Sequence, residues 1–471
     1  MFDAGIAWIN SILWDYLLIY ALIGVGVVFT IRTRFVQFRR FGHFWSVLLV
    51  SRHGAQHGIS SFQAFCVGLS SRVGTGNIAG VAIALTLGGP GAIFWMWVVA
   101  VVGMATALIE ATLAQMFKLP QPDGTFRGGP AYYIERGLGS RFWGSVFAVL
   151  LIVTFGLTFN AVQANTIADT LQSAHGVPAV LTALGLVALT APILFGGMRV
   201  IARVAEWLLP AMAIGYLVLA AAIIGLNLDK VPDVFMLIVR SAFGLDQAAA
   251  GAVGGIGAAL LNGVKRGLFS NEAGMGSAPN AAAIATVGHP VSQGMVQSLG
   301  VFVDTIIICS ATAFIVLVSG LYDPAQPTAI AGASLTQAAV AESVGGIGII
   351  FMTAVIFCFA FSSIIGNYAY ADGNLIYLGA TGTMVKAFKL LVLVAVAGGC
   401  LGELPTVWAL ADTTMGLMAL VNLAAIMLLG RWALGALADY EKSLPRGEPV
   451  FESRGNPHLP AAIGTGVWHR S

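Results

Sequence analysis

Long apolar runs divided by short polar segments make up most of this chain. A membrane-spanning helix takes about 20 mainly apolar residues, and nine runs come close enough to that length to predict spans. Before the first of them, Phe2, Ile6 and Ile9 recur at helical spacing, which predicts an interfacial helix over Met1–Asn10. The nine predicted spans are Tyr16–Ile31, Ala92–Phe117, Phe142–Leu171, Ala179–Phe195, Trp207–Leu226, Ser298–Leu321, Gly345–Ala371, Thr383–Leu401 and Thr406–Leu429.

Two shorter apolar runs, Phe62–Leu69 and Val81–Leu87, form a span only when they are joined. The stretch between them holds three glycines together with Arg72, Thr75 and Asn77, so the helix is predicted to open over residues 70–77. Unpaired backbone is tolerated at that depth only against protein or a wet cavity. An opened helix offers carbonyls to a cation and N–H groups to an anion. The alternative, close packing by glycine, accounts for the glycines but not for the polar side chains.

A second Gly-rich run, Ala248–Leu261, with Gly251 and Gly254 among its glycines, is also short. It leads into Asn262–Arg266 and then into the small-residue stretch Ser270–Asn280. That stretch is predicted to lie at the inner end of the span, as a gate beneath a site or as a tight loop.

Counting both interrupted runs, the sequence predicts eleven membrane-spanning helices in an all-α integral membrane protein. The interrupted spans are second and seventh, and five spans start from each, so the two sets of five have opposite orientations. This is the five-plus-five inverted repeat of secondary transporters with one extra N-terminal helix. The predicted segments are 1–57 (interfacial helix, first span and basic loop), 58–227 (first repeat), 228–245 (surface segment), 246–430 (second repeat) and 431–471 (mobile cytoplasmic tail).

Composition agrees with a membrane protein, since 58% of the 471 residues are hydrophobic and only 9% are charged. A net charge of +2 predicts no nucleic-acid partner. The four cysteines all lie in apolar runs and are expected to be core residues. The histidines all lie in polar segments, so no histidine metal centre is expected, and no cofactor is predicted.

The basic residues predict an orientation with the N-terminus outside and the C-terminus in the cytoplasm. In that orientation 20 of the 23 basic residues fall in inside segments, including Arg52, Lys265 and Arg266. Lys230 and Arg240 fall outside, and Arg72 lies within the membrane. Such an asymmetry is the one that cytoplasmic loops show.

The ninth span supplies candidate ligands for a cation. Ser362 and Ser363 stand in a very apolar helix, and their hydroxyls could complete a cation site with carbonyls near Ser70 and Val73. Sodium suits such neutral oxygen cages. The alternative is that both hydroxyls bond to carbonyls of their own helix, as Ser and Thr commonly do in membranes.

Three amides, Asn160, Gln163 and Asn165, interrupt the apolar fourth span. Interhelical hydrogen bonding is the default role of such amides. Gln163 has the reach to bind an amino acid and is the preferred functional candidate.

Arg72 is an intramembrane charge and is expected to form a structural ion pair. The sequence does not identify the partner of Arg72. The alternative is that a chain of buried acids carries protons. The candidate acids are Glu110, Asp169, Glu206, Glu272 and Asp304.

An enzyme is not expected, because the chain has no HExxH or GxSxG motif and no buried histidine is predicted. A channel would lack saturable, concentrative uptake.

Four blocks resemble the signatures of the alanine or glycine:cation symporter family: Ser71–Gly80 (SRVGTGNIAG), Gly88–Trp97 (GGPGAIFWMW), Gly128–Tyr133 (GGPAYY) and Ser270–Asn280 (SNEAGMGSAPN). The resemblance covers nearly all of the chain apart from the tail. It implies a leucine-transporter-type fold, sodium-coupled uptake of a small neutral amino acid and residence in a bacterial inner membrane.

The resemblance also implies roles for individual residues. Thr75, Gly76, Asn77 and Gln163 would meet the amino acid, and Asn367 would face its side chain in a widened, more polar pocket. Sodium would bind through three carbonyls and two hydroxyls, supplied by Ser70, Val73, Phe359, Ser362 and Ser363. The alternative is a proton-coupled carrier of the same fold, and the oligomeric state is left open.

Overall fold

The computed structural model describes residues 2–50, 59–121, 124–245, 255–323, 332–447, 449–453, 456–457 and 467–468. In these residues the chain is helical apart from one small hairpin, β1 (Leu119–Pro120) and β2 (Phe126–Arg127). Besides the short turns Val36–Arg39 and Leu444–Arg446, the helices are α1 (Ala4–Arg32), α2 (Phe41–Val50), α3 (Ser61–Arg72), α4 (Gly76–Gly88), α5 (Gly91–Met116), α6 (Pro130–Leu138), α7 (Arg141–His175), α8 (Ala179–Gly196), α9 (Met198–Leu226), α10 (Val231–Ala242), α11 (Ile256–Asn271), α12 (Ala278–Ile284), α13 (Pro290–Val318), α14 (Ala333–Val344), α15 (Gly346–Tyr377), α16 (Gly382–Leu401) and α17 (Leu404–Ser443).

Nine helices in the described part of the chain are long and apolar enough to cross a membrane, which confirms an all-helical membrane protein. These nine helices overlap the nine uninterrupted spans predicted from the sequence. The predicted interfacial helix is not a separate element, because helical structure is continuous from Phe2 through a π-helical segment, Ile12–Leu18, to Arg32. Several residues counted in the predicted topology or named in the second Gly-rich run lie outside the described residues: Arg52, Gly251, Gly254, Arg454 and Arg470.

The first interrupted segment begins with a capping box in which Ser60 and Gln63 bond each other's backbone N–H groups. Helix α3 ends at Arg72, and a π-helical turn from Gly76 starts α4. Val73, Gly74 and Thr75, which lie between the two helices, are called the first break below.

The second interrupted segment differs from the prediction. Helix α11 continues to Asn271, and residues 272–277, called the second break, separate it from α12. The stretch predicted at the inner end of a span is therefore an interruption between two helices.

Lys265 and Arg266, which are counted with an inside segment in the predicted topology, lie within a helix in the structure. Both belong to α11, beside the first turns of α5, where a Cβ on Gly263 would lie 2.6 Å from the Cβ of Trp95. Arg266 is 3% exposed, and its Nη2 lies 2.5 Å from Oδ2 of Asp412, with Lys265 Nζ at 3.5 Å from the same oxygen. Pairing with a carboxylate lets a buried helix carry these charges.

The two interrupted segments meet at one end. Ile59, just before α3, forms a parallel bridge with Ala285, just after α12, and Thr286 N donates to Ile59 O at 3.0 Å. Gln115 and Lys118, at the end of α5, donate to Ala285 O at 3.0 and 2.7 Å. The end of α12 is therefore anchored to α5.

The prediction of a mobile tail from Arg431 was wrong for its described residues. Helix α17 continues through Arg431 to Ser443. Beyond it, Phe451 and Trp468 are buried, and Trp468 Nε1 donates to Gln115 O at 3.1 Å. Burial lowers the pKa of His289, whose ring packs against Phe451 at 4.8 Å between centroids. Aromatic side chains thus give the tail the apolar surface that it needs to dock.

The predicted surface segment Leu228–Leu245 contains the amphipathic helix α10. Val234 and Ile238 are buried on one face, whereas Phe235 and Met236 are exposed. Helix α10 closes against the start of α5, because a Cβ on Gly91 would lie 2.6 Å from the Cα of Ala242.

Candidate functional site

Neutral amides satisfy the backbone of the first break. The Oδ1 atom of Asn77 accepts from Gly74 N at 2.9 Å. The Oε1 atom of Gln163 accepts from Thr75 N at 3.0 Å and from Thr75 Oγ1 at 2.5 Å. In the described part of the chain, the Nε2 group of Gln163 donates to no protein atom. The amide of Gln163 therefore holds the break through its oxygen and keeps two N–H donors for another partner.

Asn77 is also held at its other end. Its Nδ2 donates to Asp304 Oδ1 at 2.7 Å and contacts Cys309 Sγ at 3.3 Å. Asp304 also accepts from Ser270 Oγ at 2.7 Å and from Thr305 Oγ1 at 2.8 Å. With both ends of its amide used, Asn77 fixes the shape of the break. Cys309, expected only as a core residue, belongs to this polar group.

Helix α15 lies against the last turn of α3. Ser363 Oγ donates to Ser70 O at 2.9 Å and is 3.0 Å from Phe359 O, and Ser362 Oγ donates to Phe359 O at 2.9 Å. A methyl group on Gly74 would overlap Ser363 Oγ. Ser70, Phe359, Ser362 and Ser363 thus meet beside Val73, where α3 ends. The alternative of bonding within the helix holds for Ser362 and also for Ser363, whose single hydroxyl hydrogen lies between Phe359 O of its own helix and Ser70 O of α3.

Asn367 lies one turn beyond Ser363 and joins three helices. Its Oδ1 lies 2.7 Å from Ser71 Oγ, and its Nδ2 donates to Asn160 Oδ1 at 3.1 Å. Asn160 Nδ2 in turn donates to Gly156 O at 3.1 Å. Ser71 Oγ is also 2.7 Å from Glu272 Oε1. Asn367, which is predicted to face the side chain of the substrate, is therefore connected through Ser71 to Glu272 in the second break.

The other amide of the fourth predicted span, Asn165, has the default structural role. Its Nδ2 donates to Gly399 O at 3.1 Å and to Gly402 O at 2.7 Å. These bonds tie α7 to the end of α16 and lie apart from the break.

Arg72 does not form the predicted ion pair among the described residues. Its Nη1 donates to Gln297 O at 3.2 Å, and its Nε and Nη2 atoms are buried without a hydrogen-bond partner. Two of the five candidate acids have other partners, since Asp169 accepts from Ser334 and Glu206 from Gln63. The other three, Glu110, Glu272 and Asp304, are buried and act electrostatically with Arg72.

An aromatic layer beside the first break was missed from the sequence. The ring of Phe269 lies 4.5 Å from Phe159 and 4.6 Å from Trp408 between centroids. A Cβ on Gly76 would lie 3.0 Å from Phe269, and the Arg266 guanidinium lies 4.7 Å from the Trp408 ring. Asp412 was the available signal, because it is a charge inside an apolar run, whereas Arg266 follows the polar residues Asn262 and Lys265.

The family model described as sodium:alanine symporter family matches residues 1–453. The chain belongs to this family. The match confirms the resemblance seen in the sequence blocks. It also identifies the chain as a transporter and not an enzyme.

Three relatives from Bacillus subtilis match the chain over nearly its whole length. One, named probable sodium/glutamine symporter, is 46% identical over 452 residues, which cover 95% of this chain and 92% of the relative. An amino-acid carrier protein is 46% identical over 451 residues, covering 96% and 95%. A putative sodium/proton-dependent alanine carrier protein is 44% identical over 464 residues, covering 95% of each chain. Together with the family match, these relatives support an amino-acid:cation symporter.

Proposed function

We propose that the protein is a sodium-coupled symporter that imports a small neutral amino acid of the alanine and glycine class by alternating access. It works as a multi-pass protein of a bacterial inner membrane, with the N-terminus outside and the C-terminus in the cytoplasm. Membership in the sodium:alanine symporter family supports this proposal. The named relatives divide between alanine and glutamine as substrates, so the size of the amino acid is part of the test.

The proposed architecture counts the two interrupted segments as spans, which gives eleven. Five spans then start at α3 and five at α11, in the inverted five-plus-five arrangement of the leucine-transporter type with one helix in front. Two observations support it. Both segments are interrupted between two helices, and the segments meet each other through Ile59 and Ala285.

The proposed sodium site uses the carbonyls of Ser70, Val73 and Phe359 and the hydroxyls of Ser362 and Ser363. The observation that carries the proposal is the 2.9 Å contact between Ser363 Oγ and Ser70 O, which joins α15 to the turn that precedes the first break. Carbonyls of an unwound helix are the groups with which transporters of this kind bind sodium. All five ligands are neutral, so the site can release the ion again.

The proposed amino-acid site lies beside this sodium site. The backbone of Thr75, Gly76 and Asn77, where α4 begins, faces the α-carboxylate, because a helix N-terminus favours an anion. Thr75 N and Asn77 N, which donate to Gln163 Oε1 and Gly74 O in the structure, exchange these bonds for bonds to the substrate. Gln163 contributes its two N–H donors, and Asn367 borders the side chain of the substrate. Asn77 acts by holding the backbone in place, since its own amide is already bonded at both ends.

Sodium and amino acid are coupled through the first break. An ion between Ser70 and Ser363 holds α3 against α15, and the same break presents the backbone to the amino acid. Each ligand should then stabilise the binding of the other by the same amount, typically about 1–3 kcal/mol. A proton-coupled carrier is the second candidate, because three buried acids interact electrostatically with Arg72.

Uptake into proteoliposomes tests the proposal. Labelled alanine, glycine and glutamine are offered under an inward gradient of sodium or of protons at matched voltage. We expect the amino acid to accumulate under a sodium gradient and not under a proton gradient. Alanine or glycine should outcompete glutamine for uptake. Accumulation with protons alone would favour the second candidate. Preference for glutamine would instead retain sodium coupling and overturn the assigned substrate class.

A further inference from the structure

Glu272 lies where the two interrupted segments touch. It is the first residue after α11, adopts the left-handed conformation (φ 58°) and is 1% exposed. Its Oε1 lies 2.7 Å from Ser71 Oγ at the end of α3, and its Oε2 accepts from Ser277 Oγ at 2.6 Å. Both carboxyl oxygens therefore contact hydroxyl groups in a site without direct access to solvent.

The hydrogens available to Ser71 are too few for an ionised Glu272. Ser71 Oγ has one hydrogen but lies 2.7 Å from two acceptors, Glu272 Oε1 and Asn367 Oδ1. Asn367 presents its oxygen to Ser71 because its Nδ2 donates to Asn160. If the hydroxyl serves Asn367, an ionised Glu272 faces a lone pair. A protonated Glu272 resolves this conflict, because its O–H donates to Ser71 Oγ while Ser71 donates to Asn367.

Turning the amides over does not remove the conflict. A turned Asn367 would set its oxygen against Asn160 Oδ1, 3.1 Å away. Turning Asn160 as well would set its oxygen against Gly156 O, at 3.1 Å. One pair of facing acceptors persists in each arrangement, and facing acceptors away from water are costly. The neutral acid is the form of Glu272 that satisfies every group.

The charges around Glu272 also favour its neutral form. The titratable and charged groups that act on it are Arg72, Glu110, Asp304 and Tyr370. The Tyr370 hydroxyl donates to Gly68 O at 3.3 Å and also interacts with the Ser71 side chain. One arginine faces three acids in this group, and an excess of buried negative charge favours protonation of one acid.

We propose that Glu272 is a proton-binding site linked to amino-acid binding. Its Oε1 takes one proton from bulk water, forming one O–H bond, and later returns that proton to water. When the proton leaves, the Ser71 hydrogen turns to Glu272, and Asn367 loses its donor. Proton binding therefore favours the arrangement in which Asn367 is fixed at the substrate side chain. This inference rests on the proposed function, because Asn367 belongs to the proposed amino-acid site.

The first test is the pH dependence of labelled alanine binding to purified protein at saturating sodium, from about pH 5 to about pH 9. In the wild type the affinity should fall with rising pH by up to about tenfold per unit, which is the limit for one linked proton. Glu272→Gln keeps one donor and one acceptor, so it should bind with the low-pH affinity of the wild type at every pH. A folded Glu272→Gln protein that keeps the wild-type pH dependence, or that loses binding at all pH values, would overturn the proposal.

Glu110→Gln is the matched control, because Glu110 is a second buried acid but has a different set of hydrogen-bond donors around it. Its oxygens accept from Gly274 N at 3.2 Å and from Asn422 Nδ2 at 2.9 Å, and both groups are donors only. Whichever way a glutamine amide is turned at position 110, its NH2 group points at one of these N–H donors. Glu110→Gln should therefore reduce the thermal stability, whereas Glu272→Gln should not. Equal stability of the two variants would contradict the hydrogen count.

Infrared spectroscopy separates this inference from the proposed function. A protonated carboxyl group has a C=O band distinct from that of a carboxylate, and the band is read without substrate. The wild-type spectrum should contain a band that Glu272→Gln lacks. If the band is present but alanine and glycine are not transported, the substrate assignment fails and the protonated acid stands. If transport occurs and the two spectra do not differ, the inference about Glu272 fails.

Discussion

The two interrupted segments solve the same structural problem with different chemistry. Each interruption leaves backbone N–H groups without helical partners inside the protein, where an unsatisfied donor is costly. At the first break, the partners are the neutral amides of Asn77 and Gln163. At the second break, Gly274 N donates to the carboxyl group of Glu110. The first break is held by neutral amides, whereas the second is held by a carboxyl group and by the amide of Asn271, which accepts from Ala273 N.

The backbone conformations of the two breaks also differ. The first break takes three residues and resumes in a π-helical turn without positive φ angles. The second takes six residues, with φ angles of 58° at Glu272, 87° at Gly274 and 86° at Gly276. Glycine adopts such angles without strain, whereas Glu272 does so at some cost. A longer, sharper interruption brings Glu272 back toward Ser277 and across to Ser71.

This difference favours separate tasks for the two breaks. Neutral carbonyls and amides can bind and release a sodium ion or a zwitterion without a large change in local charge. Buried acids respond to protons instead. Asp304 connects the two breaks, because it accepts from Asn77 beside the first and from Ser270 beside the second. A change at either break can therefore affect the other.

Asn77→Ala should have the largest effect. It removes the acceptor of Gly74 N and a donor of Asp304, and each buried group left unsatisfied costs about 1–3 kcal/mol. Amino-acid binding and uptake should be lost while the protein still elutes as a folded species from a sizing column. Asn165→Ala is the control, because that amide ties α7 to α16 away from both breaks, and it should keep binding. Retained affinity in Asn77→Ala would contradict the role of Asn77.

The next largest contrast comes from adding a methyl group at each break. In Gly74→Ala the methyl overlaps Ser363 Oγ, so the hydroxyl must turn away from Ser70 or α3 and α15 must separate, and in either case sodium-dependent binding should be lost. In Gly274→Ala the main cost is the positive φ angle, of the order of 1–2 kcal/mol. That variant should be less heat-stable but should keep its sodium dependence. Loss of sodium dependence in both variants would show that the breaks do not differ in this task.

The sequence predicted both interruptions but placed only the first correctly. Glycines and polar side chains mark residues 70–80 between two apolar runs, so the break was predicted between those runs. Ser270–Asn280 has the same small residues, but Lys265 and Arg266 before it imitate the end of a span. Their partner Asp412 is 146 residues from Arg266, and such a pairing is not visible in one sequence.

The candidate site was predictable as a set of residue types and not as a set of contacts. Ser70, Ser362, Ser363 and Gln163 were chosen because polar groups are rare in apolar helices, and they do lie around the first break. The direction of each hydrogen bond was not predictable. Ser71 was overlooked beside Ser70, although it connects Asn367 to Glu272. Helix rotation decides which of two adjacent serines faces which neighbour.

Ser363→Ala should have a smaller effect that is specific to sodium. The hydroxyl bridges to Ser70 O, and its loss removes one proposed ligand. A contribution of about 1.4 kcal/mol raises the sodium concentration for half-maximal uptake about tenfold, with little change at saturating sodium. Ser362→Ala should cause a smaller shift, because Ser362 Oγ donates only within its own helix. An unchanged sodium dependence in Ser363→Ala would remove Ser363 from the site.

Trp468→Ala should have the smallest effect, since it acts on the second interrupted segment only through its anchor. Trp468 donates to the backbone of Gln115, whose side chain bonds Ala282 O and Ala285 O at the end of α12. Without the indole, the tail loses its contact and the anchor becomes more mobile. In a protein of this size the thermal midpoint should fall by about 1–3 °C. Sodium dependence should not change, because neither the first break nor Ser363 is hydrogen-bonded to the described residues of the tail. A shift in sodium dependence as large as that of Ser363→Ala would mean that the anchored end of α12 also controls the first break.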